Sequence, residues 1–221
     1  MHLWHITWFT VTTAALATVL MMPPGLLLAW TLARGRFRGR VLLETLVSLP
    51  LVMPPVATGL VLLLLVAPHG PIGRVLAAAG VEVVFTWKAV VLAMTVMGLP
   101  LFVRTVRAGI EQVDRRYESV ASTLGAAPLR VFLTITVPLA APAILAGSVL
   151  GFARAIGEFG ATIMIAGSIP GATRTLAVAI YSFAETGRND DALRLVAVSA
   201  AIAAGALWLS NRIAARAGVR A

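Results

Sequence analysis

The chain has 221 residues, 59% of them hydrophobic and only 12% charged, with a mean hydropathy of +0.93. A soluble domain of this length needs more charge to cover its surface, so the composition calls for lipid as part of the solvent. The formal charge of +9 resides in arginines at the edges of apolar runs, without an RNP-like aromatic pattern or a basic DNA-binding helix, which sets nucleic acid aside.

Segments of ~20 apolar residues mark membrane spans, and five are found. The first is Ile6–Ala33, with Pro23-Pro24-Gly25 expected to bend it. It is too long for the apolar core of a signal peptide and lacks a basic leader, so it reads as a retained transmembrane helix. The second runs from about Val41 to Ala67 and contains Pro50, Pro54 and Pro55. The third is about Trp87–Ile110. The fourth is about Val131–Gly157, with Pro138 and Pro142 near its start, and the last is about Ala192–Ile213. Several are longer than a straight crossing requires, which predicts tilts, kinks or extension beyond the bilayer.

Arg34, Arg36, Arg38 and Arg40 crowd the first connection, and Arg104, Arg107, Arg115, Arg116 and Arg130 surround the third. Arg212, Arg216 and Arg220 mark the tail. The opposite connections hold Arg74, Lys88, Arg174, Arg188 and Arg194. Twelve basic residues against five place the first and third connections and the C-terminus in the cytoplasm and the N-terminus outside. Glu44, near the start of the second span, is expected to meet the Arg34–Arg40 cluster.

Residues 68–86 form a short outer excursion. Residues 158–189 are apolar, Gly-rich and broken at Pro170-Gly171, with Thr173–Ala184 able to form a short helix on or within the outer face. Non-helical backbone at membrane depth persists only against protein or a water-filled cavity, so this segment is either a partly re-entrant element beside a pathway or an ordinary external loop. Arg154 and Glu158, four apart, can pair along one helix face. They read either as pathway residues, with Glu158-Phe159-Gly160 near an outer gate and Thr162 beside them, or as a structural brace. Arg174 reads either as a contact for an anion or as an interfacial anchor.

The third connection carries the clearest local pattern. Asp114 can cap a helix whose apolar positions, Val113, Tyr117, Val120, Ala121 and Leu124, trace one stripe. Arg115, Arg116, Glu118, Ser119 and Ser122 take the other face. Gly125 suits a C-terminal turn and Pro128 the first turn of a following helix. Such a helix can lie on lipid, pack on its own protein, or enter a partner's groove. The fold class is thus an all-α integral membrane protein of about five kinked transmembrane helices, an amphipathic cytoplasmic helix and a partly re-entrant outer segment. Cys is absent, and His2 and His5 lack a third ligand nearby, so no metal site is expected.

Ser119-Val120-Ala121-Ser122-Thr123-Leu124-Gly125, nine residues, then Ile135-Thr136-Val137-Pro138 resembles the EAA loop of ABC importer permeases: Glu-Ala-Ala, three residues, Gly, nine residues, Ile-x-Leu-Pro. The spacing matches throughout. Ser119, Val120 and Val137 depart from the pattern, and Glu118 stands one place early, about 100° away around a helix. Gly151–Thr162, with Arg154-Ala155-Ile156-Gly157-Glu158-Phe159-Gly160, then Ile169–Thr175, and Leu49–Val56, resemble the molybdate permease subfamily; tungstate and sulfate/thiosulfate permeases share much of this pattern.

The resemblance implies a single transmembrane permease domain over residues 1–221, with a coupling loop at about 111–130 and an outer gate region at about 158–189. It implies coupling contacts through Tyr117, Ser119, Val120, Ala121, Leu124, Gly125, Ile135 and Pro138. It also implies a homodimer, a cytoplasmic ATPase that binds ATP and Mg, and an extracytoplasmic molybdate-binding protein. The chain's only lysine, Lys88, follows Thr-Trp rather than a glycine-rich phosphate loop, so ATP hydrolysis belongs to another polypeptide and no cofactor is expected on this one. Molybdate is the implied substrate. An intramembrane enzyme would need a catalytic constellation, but no span contains His and the membrane carboxylates Glu44 and Glu158 fall near opposite faces. A scaffold without transport would leave the broken outer segment without a purpose.

Overall fold

The computed structural model describes residues 2–216, without the side chains of His2 and of residues 214–216. Arg220 and the side chains of His2 and Arg216, which entered the charge and metal readings, lie outside the described residues. Every regular element described is helical. Three helices are long and apolar enough to cross a membrane, and two bent pairs raise the number to five if each pair is one span.

Helix α1 (His2–Arg34) runs unbroken through Pro23 and Pro24. Its buried face is Thr10, Ala14, Ala17, Met21, Ala29 and Leu32, spaced so that one stripe recurs every turn or two. Small residues let backbones approach closely, which drives helix association where lipid is as apolar as the side chains. That stripe packs on the central helix α5 (Trp87–Gln112), which also contacts the later helix α9 (Ala141–Ile156). Thr86 caps α5 by accepting from the Lys88 amide at 3.2 Å. Because α5 is surrounded, it joins two apolar clusters. One includes Ala14, Val90, Met94, Ile156, Ile165 and Leu176, and the other Met21, Leu32, Phe102, Val106, Ile110 and Ile144.

The second predicted span is two helices, α2 (Arg40–Val52) and α3 (Pro55–Val66), bent by 114°. Pro54 and Pro55 cause the break: Pro disfavours helical backbone in the residue before it and offers no N–H to continue the ladder. α2 lies along α5 in an antiparallel polar ladder. Arg40 approaches Glu111 at 3.9 Å, Glu44 pairs with Arg107 at 2.7 Å, and Arg104 donates to Ser48 at 3.3 Å. Glu44 therefore pairs with Arg107 and not with the Arg34–Arg40 cluster. Residues 40, 44 and 48 share one helix face, and that face meets α5. After α3 comes α4 (Pro71–Ala78), within the excursion of residues 68–86.

The fourth predicted span is also broken. α6 (Arg115–Thr123) and α7 (Pro128–Val131) lead into a π-helical turn at Phe132–Thr136, then α8 (Val137–Leu139) and α9 (Ala141–Ile156), with a 73° bend at Ala140. Pro138 has no N–H to give Thr134, and the Val137 amide donates to the Phe132 carbonyl instead, one residue further back than in an α-helix. Residues 158–189 hold two helices, α10 (Gly160–Ala166) and α11 (Leu176–Glu185), ahead of the long α12 (Asn189–Arg216). This segment is folded into the body: Thr173, Thr175 and Leu176 are fully buried, and the Leu176 amide donates to Thr10 Oγ1 at 2.8 Å.

The two ends of the molecule differ. At one end Arg34, Val113, Glu118 and Thr136 converge. At the other, the Phe85 amide donates to the Ile165 carbonyl and α1 meets α11. The clustered arginines of the first and third connections thus share the first end.

α3 packs closely on α10. A Cβ on Gly59 would meet the Ala161 backbone at 2.7 and 2.8 Å, whereas one on Gly205 would meet nothing within 4 Å. Overpacking costs about 1–3 kcal/mol, so Gly59→Ala is expected to lower the apparent Tm in detergent by roughly 5 °C. Gly205→Ala, at an open position inside a helix, does not lower it; fluorescence-monitored thermal unfolding of both variants checks this.

Candidate functional site

Helix α6 forms as its sequence dictates. Asp114 accepts from the Arg116 amide at 2.9 Å and caps the N-terminus. At the other end the Ala126 amide donates to the Ala121 carbonyl and the Gly125 amide to the Ser122 carbonyl, a Schellman closure. Gly125 sits at φ +85°, where a side chain would be strained.

The orientation of α6 is the unusual part. Its apolar stripe faces away from the protein: Tyr117 is 60% exposed, Val120 59% and Leu124 83%, with Ala121 half-buried. Not one α6 residue is buried. The side turned inward is polar. Glu118 meets Arg34 Nε at 3.1 Å and accepts from Thr136 Oγ1 at 2.8 Å, while a second Arg34 nitrogen donates to the Val113 carbonyl at 2.8 Å. Ser119 and Ser122 donate to the Arg115 and Glu118 carbonyls on their own helix, at 3.0 and 2.8 Å. Of the three uses open to an amphipathic helix, packing its apolar face on its own chain is the one this geometry excludes.

Ile135 lies half-buried in the π-helical turn and Pro138 is exposed in α8. Trp30 of α1 packs on Phe132 of that turn, ring centres 5.1 Å apart. A cavity of about 320 Å³ adjoins α6, lined by Gln112, Val113, Tyr117, Leu139 and Pro142 among others.

The residues expected near an outer gate are brought together only in part. Arg154 and Glu158 pair at 2.7 Å, with the carboxylate 1% exposed and the guanidinium partly exposed. The second Glu158 oxygen accepts from the Ala161 amide at 2.8 Å and so caps α10. Both carboxylate oxygens are committed, which is how a buried charge avoids its desolvation cost. Phe159 packs on Tyr181, ring centres 5.0 Å apart. Gly160 packs against Pro55, and Thr162 is fully buried; among the described residues neither its Oγ1 nor that of buried Thr58 on α3 has a hydrogen-bond partner.

Arg174 stands apart from this group. It donates to Ser168 Oγ at 3.1 Å and borders a separate crevice of about 790 Å³, with His5, Trp8, Thr12 and Arg188. Sequence reasoning missed the Arg34–Glu118–Thr136 cluster. The available signal was Glu118 itself, an acid on the face opposite the stripe, but nothing in the spacing pointed to a partner 84 residues away.

These features, an all-helical membrane body with broken spans and a short helix offering its apolar side to solvent, define a membrane transport permease. Residues 21–217 match the binding-protein-dependent transport system inner membrane component family, and the chain belongs to that family. It is 43% identical over 213 residues to the molybdenum transport system permease protein ModB of Escherichia coli K12, covering 96% of this chain and 93% of that one. The protein of the same name from Haemophilus influenzae is 42% identical over 203 residues, 89% of each chain. The sulfate transport system permease protein CysT of Salmonella typhimurium is 41% identical over 157 residues, 71% of this chain and 57% of that one.

Among solved structures, a bacterial alginate ABC transporter in complex with its alginate-bound periplasmic protein aligns with TM-score 0.71 at 19% identity, over 98% of this chain and 79% of that one. A methionine ABC transporter in an inward-facing conformation aligns with TM-score 0.60 at 16% identity, over 96% and 94%. Both share the fold.

Arg154→Met strands the buried Glu158 carboxylate and is expected to cost about 3 kcal/mol of stability. Arg154→Met with Glu158→Gln should cost less than half as much, because no lone charge remains. Thermal unfolding of wild type, both single variants and the double variant in detergent checks the difference.

Proposed function

We propose that this chain is the membrane-spanning half of a molybdate importer driven by ATP hydrolysed on a partner subunit. The observation that carries the reading is the 43% identity to a molybdenum transport permease over 96% of the chain. The exposed apolar stripe on α6 supports the ATP-driven part. Left bare in water, Tyr117, Val120 and Leu124 form a patch that gains free energy on entering a groove. The partner groove belongs to a cytoplasmic ATPase carrying ATP and Mg.

The whole chain serves as one permease domain, with residues 111–130 as the coupling loop. Tyr117, Val120, Ala121 and Leu124 make the contact, Ser119 flanks it and Gly125 closes the helix behind it. Ile135 and Pro138 belong to the broken connection through which movement of α6 reaches α9. The arginine-rich end faces the cytoplasm, with the N-terminus outside and the C-terminus inside. Five spans enclose a pathway poorly, so two copies assemble about a two-fold axis. Broad exposure of α12, including Leu193, Val196, Trp208 and Leu209, leaves apolar surface for a second copy and for lipid. An extracytoplasmic binding protein delivers the anion, as a periplasmic protein accompanies the alginate transporter of the same fold.

Molybdate is a dianion, and carrying it bare through hydrocarbon is very costly. A pathway for it offers modest positive charge and hydroxyls while holding it weakly enough for release. In the outer gate region of residues 158–189, Glu158 fixes Arg154 so that the partly exposed guanidinium serves the anion. Phe159, Gly160 and Thr162 form the adjoining gate, and Arg174 guards the outer approach. A second reading, a sulfate permease, draws on the Salmonella typhimurium relative.

Two measurements test the proposal. In cells supplying the cognate binding protein and ATPase, molybdate uptake should depend on this chain and should persist in a large excess of sulfate. Sulfate competing equally would favour the second reading. Val120 is exposed and no α6 residue is buried, so Val120→Glu should leave membrane insertion and Tm unchanged. Placing a charge in the apolar contact should cut ATP-dependent uptake at least roughly tenfold. Full uptake by that variant would contradict the coupling role.

A further inference from the structure

We propose that Glu118 is a positioning residue which locks α6 to the spans, so that movement of α6 is transmitted to them instead of being lost in hinging. The inference rests on the coupling role proposed above. α6 has no buried residue, and short non-helical connections flank it at Val113-Asp114 and at the Gly125 turn. A nine-residue helix attached only by its ends would swivel when pushed.

One carboxylate prevents this by gripping two separate elements. It binds Arg34 at the end of α1, through contacts of 3.1 and 3.2 Å, and Thr136 at the end of the π-helical turn, at 2.8 Å. Arg34 extends the grip to α5 by donating to the Val113 carbonyl, which ends that helix. The ion pair is shielded, with side-chain exposures of 12% for Arg34 and 18% for Glu118, and Thr136 is 1% exposed. Salt and water therefore screen it far less than the open pairs on α2 and α5. Among the described residues, the only other side-chain hydrogen bond from α6 to the spans is a long one, from Arg115 to the Ala33 carbonyl at 3.5 Å.

Glu118 faces inward and leaves the apolar stripe untouched. Losing it should spare docking and impair transmission, a separation that a purely structural role would not produce. Thr136 has a subordinate part: it ties the same carboxylate to the turn that leads through α8 into α9.

The test uses the assembled transporter in proteoliposomes, with ATPase, binding protein and labelled molybdate. It reads molybdate moved per ATP hydrolysed, alongside the amount of ATPase co-purified. Glu118→Ala should retain the ATPase and at least half the hydrolysis rate, yet move at least fivefold less molybdate per ATP. Glu118→Gln, which keeps an acceptor for Thr136 and Arg34, should recover part of the ratio. Thr136→Val should lower the ratio about twofold and carries the test if Glu118→Ala fails to accumulate in the membrane. A wild-type ratio in Glu118→Ala, or in Thr136→Val where that variant carries the test, overturns the positioning role while leaving the importer reading intact. Parallel loss of ATPase binding and uptake also overturns it, since Glu118 would then serve docking. Failure of the wild-type chain itself to retain an ATPase overturns the importer reading and this inference together.

Discussion

A short amphipathic helix on a protein's surface ordinarily turns its apolar side toward the protein and its charges outward. α6 does the reverse, and the Arg34–Glu118 pair is what makes that possible. Turning a carboxylate inward is tolerable only when a cation and hydroxyl meet it, and Arg34 and Thr136 do so. With its polar face thus anchored, the helix can hold Tyr117, Val120 and Leu124 exposed without collapsing onto the body. The same pair aligns the ends of α1 and α5 with the turn ahead of α9, so the surface offered to a partner and the helices that would have to move form one connected unit.

Elsewhere the structure places polar groups where the backbone is interrupted. Within lipid an interrupted helix must find partners for its freed N–H groups inside the protein. The chain breaks between α9 and α10, and there Glu158 accepts the Ala161 amide while Arg154 balances its charge. The loop ahead of α11 ends where the Leu176 amide meets Thr10 of α1. Both breaks lie in the half of the molecule away from α6, so the long, unbroken α5 connects the α6 end to an end of broken, polar-braced backbone. Membership in a family of transport permeases suits that division, since a pathway needs interrupted helices and a drive needs a stiff connection to reach them.

Much of this was legible in the sequence because local physics decided it. The boundaries of α5 and α12 follow from apolar length, and α6 follows from its Asp114 cap, its stripe and Gly125. Arg154 and Glu158 met because four residues is one helical turn. What the sequence did not disclose depended on packing between distant segments. Prolines 50, 54 and 55 announced a disturbance in the second span, but a 114° break rather than a kink emerged only with α3 seated on α10. Glu44 took Arg107 rather than the nearer arginine cluster, because the helix face decides which partners are in reach. The inward turn of Glu118 had no local signature, since an acid opposite an apolar stripe ordinarily faces water.

The central claim is that the face α6 leaves uncovered is filled by an ATPase. Single cysteines at Leu124, and separately at Tyr117, with a short bifunctional cross-linker on the assembled transporter in membranes, test it most directly. A permease–ATPase adduct from both positions, its yield changing between nucleotide-free and ATP-bound states, is the predicted result. An ATPase that co-purifies but gives no adduct from either cysteine, with both instead protected by lipid, would contradict the account.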